Sequence, residues 1–161
     1  MAVGASAGGV EALTTLAAGL PDDLPYAVLV VLHMPPNAPS VLPRILDRAG
    51  PLRAVAAVDG TTLEAGRIYV AVPNRHLLVR DHRIMLSEGP TESMNRPAVN
   101  ALFRSVAVDF GPAPSVWSCP GCSTTACWVP APSGQGAASP SRSRPTMRSS
   151  PPCRRTRSTP G

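Results

Sequence analysis

The chain has 161 residues, 43% of them hydrophobic, and a formal net charge of +5 at pH 7, which suits one globular domain of ordinary size. No apolar stretch approaches the roughly 20 residues that cross a bilayer, and the first apolar segment is predicted to be part of the fold rather than a signal peptide. Neither membrane insertion nor secretion is predicted, and we expect a cytoplasmic protein.

The positive charge is confined to the last third of the chain. Residues 1–110 have nine arginines against ten acidic residues, whereas residues 111–161 have six arginines and no acidic residue. A basic C-terminal arm often binds nucleic acid, but these arginines are scattered among Ser, Thr and Pro rather than clustered. We therefore predict no nucleic-acid partner.

The first nine residues contain the most informative motif. A short apolar segment leads directly into Gly4-Ala5-Ser6-Ala7-Gly8, which matches G-x-S-x-G, a tight strand-to-helix turn that presents a nucleophilic serine above a sheet edge. Two other interpretations remain open here: a loop that cradles phosphate at a helix N-terminus, or an ordinary strand-to-helix turn. The phosphate interpretation lacks a G-x-G-x-x-G motif and a P-loop lysine, since the chain contains no lysine.

The next elements alternate between helix and strand. Helical spacing of apolar residues predicts a helix over residues 8–20. The apolar run 26–32 is rich in β-branched residues and predicts a strand buried on both faces, which ends at His33 before two prolines. A second helix follows with Ser40 as its expected N-cap, and residues 53–58 are a short third strand.

From residue 59 onward the predicted strands become short and closely spaced. Three of them are predicted, at residues 67–72, 77–79 and 83–86. Turn residues such as Asp81-His82 separate them, which indicates a short antiparallel hairpin beside a parallel sheet. Residues 96–110 predict a helix with Pro97 in its first turn. The whole pattern predicts an α/β fold, a doubly wound and mainly parallel sheet with flanking helices, followed by an irregular C-terminal tail.

Ser6 follows the first predicted strand and His33 follows the second. In a parallel sheet both residues lie at the carboxyl edge, where open α/β sheets bind their ligands. An imidazole within hydrogen-bond reach of a serine hydroxyl acts as its general base. The alternative interpretation is a histidine that only caps its strand.

Six blocks of the chain occur in the order of a known family: residues 3–13, 31–35, 59–60 and 66–71, then Pro73 with His76-Leu77, and last residues 96–105. The first reads Val-Gly-Ala-Ser-Ala-Gly-Gly-Val-Glu-Ala-Leu, and the last reads Arg-Pro-Ala-Val-Asn-Ala-Leu-Phe-Arg-Ser. Together they resemble the catalytic domain of the chemotaxis CheB family, the protein-glutamate methylesterases. The resemblance covers residues 1–110, which we predict to be a CheB-type methylesterase domain similar to the family's stand-alone members.

The resemblance implies an enzyme, a carboxylic ester hydrolase of chemosensory phosphorelay signalling. Its substrate would be a methylated chemoreceptor, whose glutamate methyl esters are hydrolysed to glutamate and methanol without a cofactor or a metal. Ser6 would be the nucleophile and His33 the general base, and later the acid.

The family's third triad member is an aspartate of a late Gly-x-x-x-Asp-Gly block, but no Asp or Glu follows Asp109 in this chain. We therefore predict low stability and esterase activity that is strongly reduced or absent. The alternative is a catalytically inactive esterase-like scaffold that acts as a signalling interaction domain.

Residues 111–161 show no regular periodicity. We predict either a low-complexity, disordered tail or the product of a shifted reading frame, because back-translation of residues 116–128 in another frame can give an Asp-Gly block like the missing one. A shifted frame also accounts for Cys119-Pro-Gly-Cys122. Its C-x-x-C spacing suggests zinc or redox chemistry, but it lacks the second pair of a zinc ribbon, so we predict no metal site.

Overall fold

The structure, a computed structural model, describes residues 1–34, 40–111, 116–118 and 124–127. The strands are β1 (Ala2–Ala5), β2 (Val28–Leu32), β3 (Arg53–Ala56), β4 (Arg67–Val70), β5 (His76–Arg80), β6 (Arg83–Ser87), β7 (Val116–Ser118) and β8 (Thr124–Cys127). The α-helices are α1 (Val10–Gly19), α2 (Leu42–Ala49) and α3 (Val99–Phe110), and a 3-10 turn at Ala7–Gly9 precedes α1.

Among the described residues, six strands form one sheet in the order β3-β4-β2-β1-β8-β7, and β5 and β6 form a separate antiparallel pair. Strands β1 to β4 run parallel, whereas β8 lies antiparallel to β1 and β7 antiparallel to β8. Every residue of β1 and β2 is buried, as expected for strands covered on both faces. The predicted fold, a mainly parallel α/β sheet with flanking helices and a short antiparallel pair, is confirmed.

Two apolar layers cover the two faces of the parallel strands. Successive residues of β2 alternate between these layers, because side chains along a strand point to opposite faces. Val28 and Val30 belong to the layer that contains α1 and α2, whereas Leu29 and Val31 belong to the layer that contains β5, β6 and α3. The sheet is therefore doubly wound, with the hairpin and α3 covering one face.

The β5–β6 hairpin closes with a two-residue turn at Asp81 and His82, whose φ angles are 50° and 58°. Left-handed backbone at both central residues is the type I′ geometry that suits the twist of paired strands. The turn rests against the end of α3, where the His82 N–H donates to Asp109 Oδ2 at 3.1 Å. The predicted hairpin and its turn residues are thus confirmed.

Three local predictions are wrong in detail. Ser40 is not the N-cap of α2, which begins at Leu42 with Pro43 in its first turn, because the fixed φ of proline suits that position. Helix α3 begins at Val99 after an extended Ala98, so Arg96 and Pro97 lie before the helix rather than in its first turn. Strands β7 and β8 lie where no strand was predicted.

Most of the predicted tail, including Cys119 and Cys122, lies outside the described residues. In the part of the chain that the structure describes, no helix has the length and the apolar character needed to cross a membrane.

Candidate active site

Ser6 and His33 directly follow a pair of residues that face each other in neighbouring parallel strands. Ala5 of β1 pairs with Leu32 of β2, and the His33 N–H donates to the Ala5 carbonyl oxygen at 2.9 Å. Both Ser6 and His33 are partly buried. The structure brings these two residues to adjoining positions at the carboxyl edge of the sheet, the edge at which open α/β sheets bind ligands.

The turn after Ser6 is made with ordinary backbone angles. Ser6 is extended, with φ −83° and ψ 172°, and the Gly9 N–H donates to the Ser6 carbonyl oxygen at 2.8 Å to close the 3-10 turn. It therefore differs from the strained elbow of α/β-hydrolases. The first N–H groups of a helix have no acceptor within that helix. No side chain caps this turn or α1 in their place. N–H groups at a helix start favour a negative charge nearby.

The first glycine of the motif is required by packing against α3. A Cβ added at Gly4 would lie 2.2 Å from Val99 Cγ1 and 2.6 Å from Val99 Cγ2. A Cβ added at Gly8 would meet nothing within 4 Å. The absence of a side chain at Gly4 therefore lets the first turn of α3 lie directly on the strand that leads to Ser6.

Arg96 ties together the loops around the start of α3. Its Nε and Nη2 donate to Asn74 Oδ1 at 3.0 and 2.6 Å. Its Nη1 donates to the carbonyl oxygens of Glu88 and Gly89 at 2.7 and 2.9 Å. Asn74 follows the carboxyl end of β4, the neighbour of β2, so this cluster lies at the same sheet edge as His33. Arg96 opens the family-like block at residues 96–105, but no local sequence pattern there indicates a role for it.

The other two histidines are held in structural contacts. His76 is 4% exposed; its Nδ1 accepts a hydrogen bond from the Ala98 N–H at 3.2 Å, and its Nε2 donates to the Pro90 carbonyl oxygen at 2.9 Å. His82 lies beside Asp109, near the end of α3 and roughly 15 Å along that helix from its first residue. Only His33, among the three, lies next to Ser6 in the sheet.

No carboxylate of the described residues pairs with the His33 ring. The described acidic residues that form ion pairs do so with other partners: Arg67, Arg75, Arg80, Arg104 and His82. The described part of the chain also contains no group of three or more His, Cys, Asp or Glu side chains that could hold a metal ion. Within it, the candidate site therefore consists of a serine, a histidine and the start of a helix.

The amino-acid sequence of the chain is similar to those of several known proteins. A family model described as CheB methylesterase matches residues 1–116. The protein-glutamate methylesterase/protein-glutamine glutaminase 2 of Methanosarcina acetivorans is 44% identical over 119 residues, which are 69% of this chain and 33% of that protein. A protein-glutamate methylesterase/protein-glutamine glutaminase 1 of Anaeromyxobacter dehalogenans is 42% identical over 113 residues, 68% of this chain and 32% of that protein. The chain thus spans about a third of the length of these relatives.

The likeness extends to a solved structure. The crystal structure of the Thermotoga maritima CheB methylesterase catalytic domain matches with a TM-score of 0.61 and 29% sequence identity. The match covers 65% of this chain and 58% of that chain. The resemblance drawn from the sequence blocks is therefore matched by a resemblance in fold.

Proposed function

The chain belongs to the CheB methylesterase family, and on that premise we propose that it hydrolyses the γ-methyl esters of glutamate side chains on methylated chemoreceptors. The observation that supports this most is the position of Ser6 and His33 directly after the paired residues Ala5 and Leu32. A serine with a neighbouring imidazole is a recurrent arrangement for acyl hydrolysis. The proposed setting is the cytoplasm, in chemotaxis or a related phosphorelay pathway, with no nucleic-acid partner.

In the proposed reaction, Ser6 Oγ attacks the ester carbonyl carbon while His33 takes the hydroxyl proton. The unpaired N–H groups at the start of the 3-10 turn stabilise the negative oxygen of the tetrahedral intermediate. This intermediate collapses as His33 gives its proton to the departing methanol, which leaves the glutamyl group esterified to Ser6. A water molecule that His33 deprotonates then releases the glutamate carboxylate and restores the serine.

Hydrolysis of glutamine side chains is a second candidate activity at the same site. The names of the relatives combine a methylesterase with a glutaminase activity. Both reactions would pass through the same glutamyl ester on Ser6, with ammonia leaving in place of methanol. Because an amide nitrogen must be protonated before it leaves, the amide reaction depends more strongly on the acid form of His33.

We propose that both activities are low in this chain. No acidic residue follows Asp109, so residues 110–161 contain no side-chain carboxylate to orient the His33 imidazole as the family's late aspartate would. In a serine protease, replacing the corresponding aspartate lowers turnover by about 10⁴, because the histidine adopts the wrong tautomer.

The test combines a fluorophosphonate probe, which modifies activated serines, with methanol release from a peptide that contains a glutamate γ-methyl ester. We expect the probe to label Ser6, Ser6→Ala to abolish labelling, and His33→Ala to slow it by about 10²-fold or more. His82→Asn is the matched control, since it changes a histidine outside the proposed site and is expected to leave labelling unchanged. A folded chain whose Ser6 is never labelled overturns the proposal and favours the non-catalytic scaffold.

A further inference from the structure

Helix α2 has an exposed face that combines arginines with apolar side chains. Four residues on it line a surface pocket of about 190 Å³, and we call them the α2 arginine face: Val41, Arg44, Ile45 and Arg48. Their spacing of three and four residues places them on one side of the helix. The opposite side of α2 is buried in the layer that also contains α1.

Neither arginine of this face has a partner among the residues that the structure describes. Ion pairs there are made by four other arginines: Arg67, Arg75, Arg80 and Arg104. The one acidic residue of α2, Asp47, instead accepts a hydrogen bond from the Ala54 N–H at 2.9 Å. The face therefore presents two positive charges beside Val41, whose surface is 54% exposed.

The α2 arginine face begins at the sheet edge that holds Ser6 and His33. Helix α2 connects the carboxyl end of β2 to the start of β3, and these strands both run parallel to β4. The helix therefore runs from the carboxyl edge back toward the amino edge. Its Val41 end is the one nearer to the candidate active site, and Arg48 lies about 10 Å further along the helix.

We propose that the α2 arginine face is a docking surface for an acidic amphipathic helix of the substrate protein. This inference rests on the proposed function, because it names the surface that holds the substrate. Carboxylates three or four residues apart on such a helix match the spacing of Arg44 and Arg48, and its apolar side chains cover Val41 and Ile45. The proposed reaction itself adds carboxylates to the substrate helix, since every hydrolysed glutamate methyl ester leaves a glutamate.

The test measures the binding of two synthetic helical peptides of about 20 residues, long enough to form a helix, to the full chain by fluorescence anisotropy. One peptide has glutamates four residues apart and a single glutamate γ-methyl ester at its centre. In the other, lysines replace the glutamates. We expect only the acidic peptide to bind, and its affinity to fall as salt is raised, because salt screens exposed charges.

Two variants with the same change in charge locate the binding surface. Arg44→Glu combined with Arg48→Glu is expected to weaken binding of the acidic peptide by about tenfold or more, because attraction becomes repulsion. The control combines Arg80→Glu with Arg83→Glu on the β5–β6 hairpin, and is expected to change the affinity by less than about twofold. Equal effects of the two variants overturn the inference.

Fluorophosphonate labelling of Ser6 in the same variants separates this inference from the proposed function. Peptide binding that depends on Arg44 and Arg48 in a chain whose Ser6 is never labelled supports the docking surface and overturns the proposed function. If Ser6 is labelled and peptide binding is unchanged by the substitutions at Arg44 and Arg48, the proposed function is supported and the docking surface is overturned. Vesicles with about 30% phosphatidylserine test a membrane as the partner instead. If the chain binds these vesicles, the α2 variant does not, and the acidic peptide does not bind the chain, the face binds a membrane surface and the inference is overturned.

Discussion

Val99 packs so closely on Gly4 that a Cβ at position 4 would lie 2.2 Å from Val99 Cγ1. Gly4 belongs to the strand that leads to Ser6, and Val99 is the first residue of α3. The contact joins two segments that are far apart in the chain. The position of α3 against β1 therefore depends on the absence of a side chain at Gly4.

Gly4→Ala is expected to lower the free energy of unfolding by about 1–3 kcal/mol, because the added methyl group forces a shift in a packed interface. Chemical denaturation measures this change. Gly8→Ala is the matched control, since its Cβ meets nothing within 4 Å, and we expect a change within about 0.5 kcal/mol. Combining Gly4→Ala with Val99→Ala should cost less than the sum of the two single changes; strict additivity would show that the Val99 contact is not the cause.

Arg96→Lys is expected to lower the free energy of unfolding by about 1–2 kcal/mol, because a single ammonium nitrogen replaces the three separate nitrogens that reach the Asn74 amide and both loop carbonyls. Asn74→Asp keeps the acceptor and places a negative charge opposite the guanidinium, so we expect it to preserve or raise the melting temperature at pH 7. Aspartate also tolerates the left-handed backbone of position 74, where φ is 60°. Thermal unfolding compares the variants, and an equal loss for both would contradict the role assigned to Arg96.

The elements that the sequence predicts well are those with a local signal. The uninterrupted apolar run of β2 and its end before the prolines at positions 35 and 36 predict a buried strand that stops beside His33. The parallel pairing of β1 with β2 then brings Ser6 to the same edge. The sequence predicts the cap of α2 wrongly, because the preference of Ser40 for an N-cap competes with the preference of Pro43 for the first helical turn.

Contacts between distant segments had no such local signal. The packing of Val99 on Gly4 and the hydrogen bonds from Arg96 to Asn74 each join segments more than twenty residues apart. They exist only because α3 and the loops around it fold back over the sheet edge. A G-x-S-x-G motif shows that small residues occur near a serine, but it does not show which other element requires them.

The pair formed by Glu92 and Arg104 is expected to make the stability of the fold depend on pH. Its hydrogen bond with Arg104 lowers the pKa of Glu92, and the same bond raises the pKa of Arg104. A carboxyl group with a lowered pKa in the folded state stabilises the fold above its ordinary pKa of about 4.3, and this stabilisation is lost as the pH falls through the lowered value. The chain and its Glu92→Gln variant should therefore differ slightly in melting temperature at pH 7 and converge in acid.

A high salt concentration provides the control for this prediction, because the Glu92–Arg104 pair is exposed. Near 1 M salt the screening length is about 3 Å, so the difference between the chain and Glu92→Gln at pH 7 should shrink. A difference in melting temperature that stays constant from pH 7 down to pH 3 would show that Arg104 does not stabilise the ionised form of Glu92.

The proposed role of His33 as leaving-group acid predicts unequal effects on ester and amide substrates. Methanol release from a glutamate methyl ester peptide should exceed ammonia release from the matching glutamine peptide, because the amide nitrogen must be protonated to leave. In a chain with no acidic residue after Asp109, an imidazole without its orienting carboxylate supplies that proton poorly. His33→Ala should therefore reduce ammonia release by a larger factor than methanol release, while His82→Asn leaves the ratio unchanged. Equal reductions in the two rates would limit His33 to a part in the attack of Ser6, with no part in the departure of the leaving group.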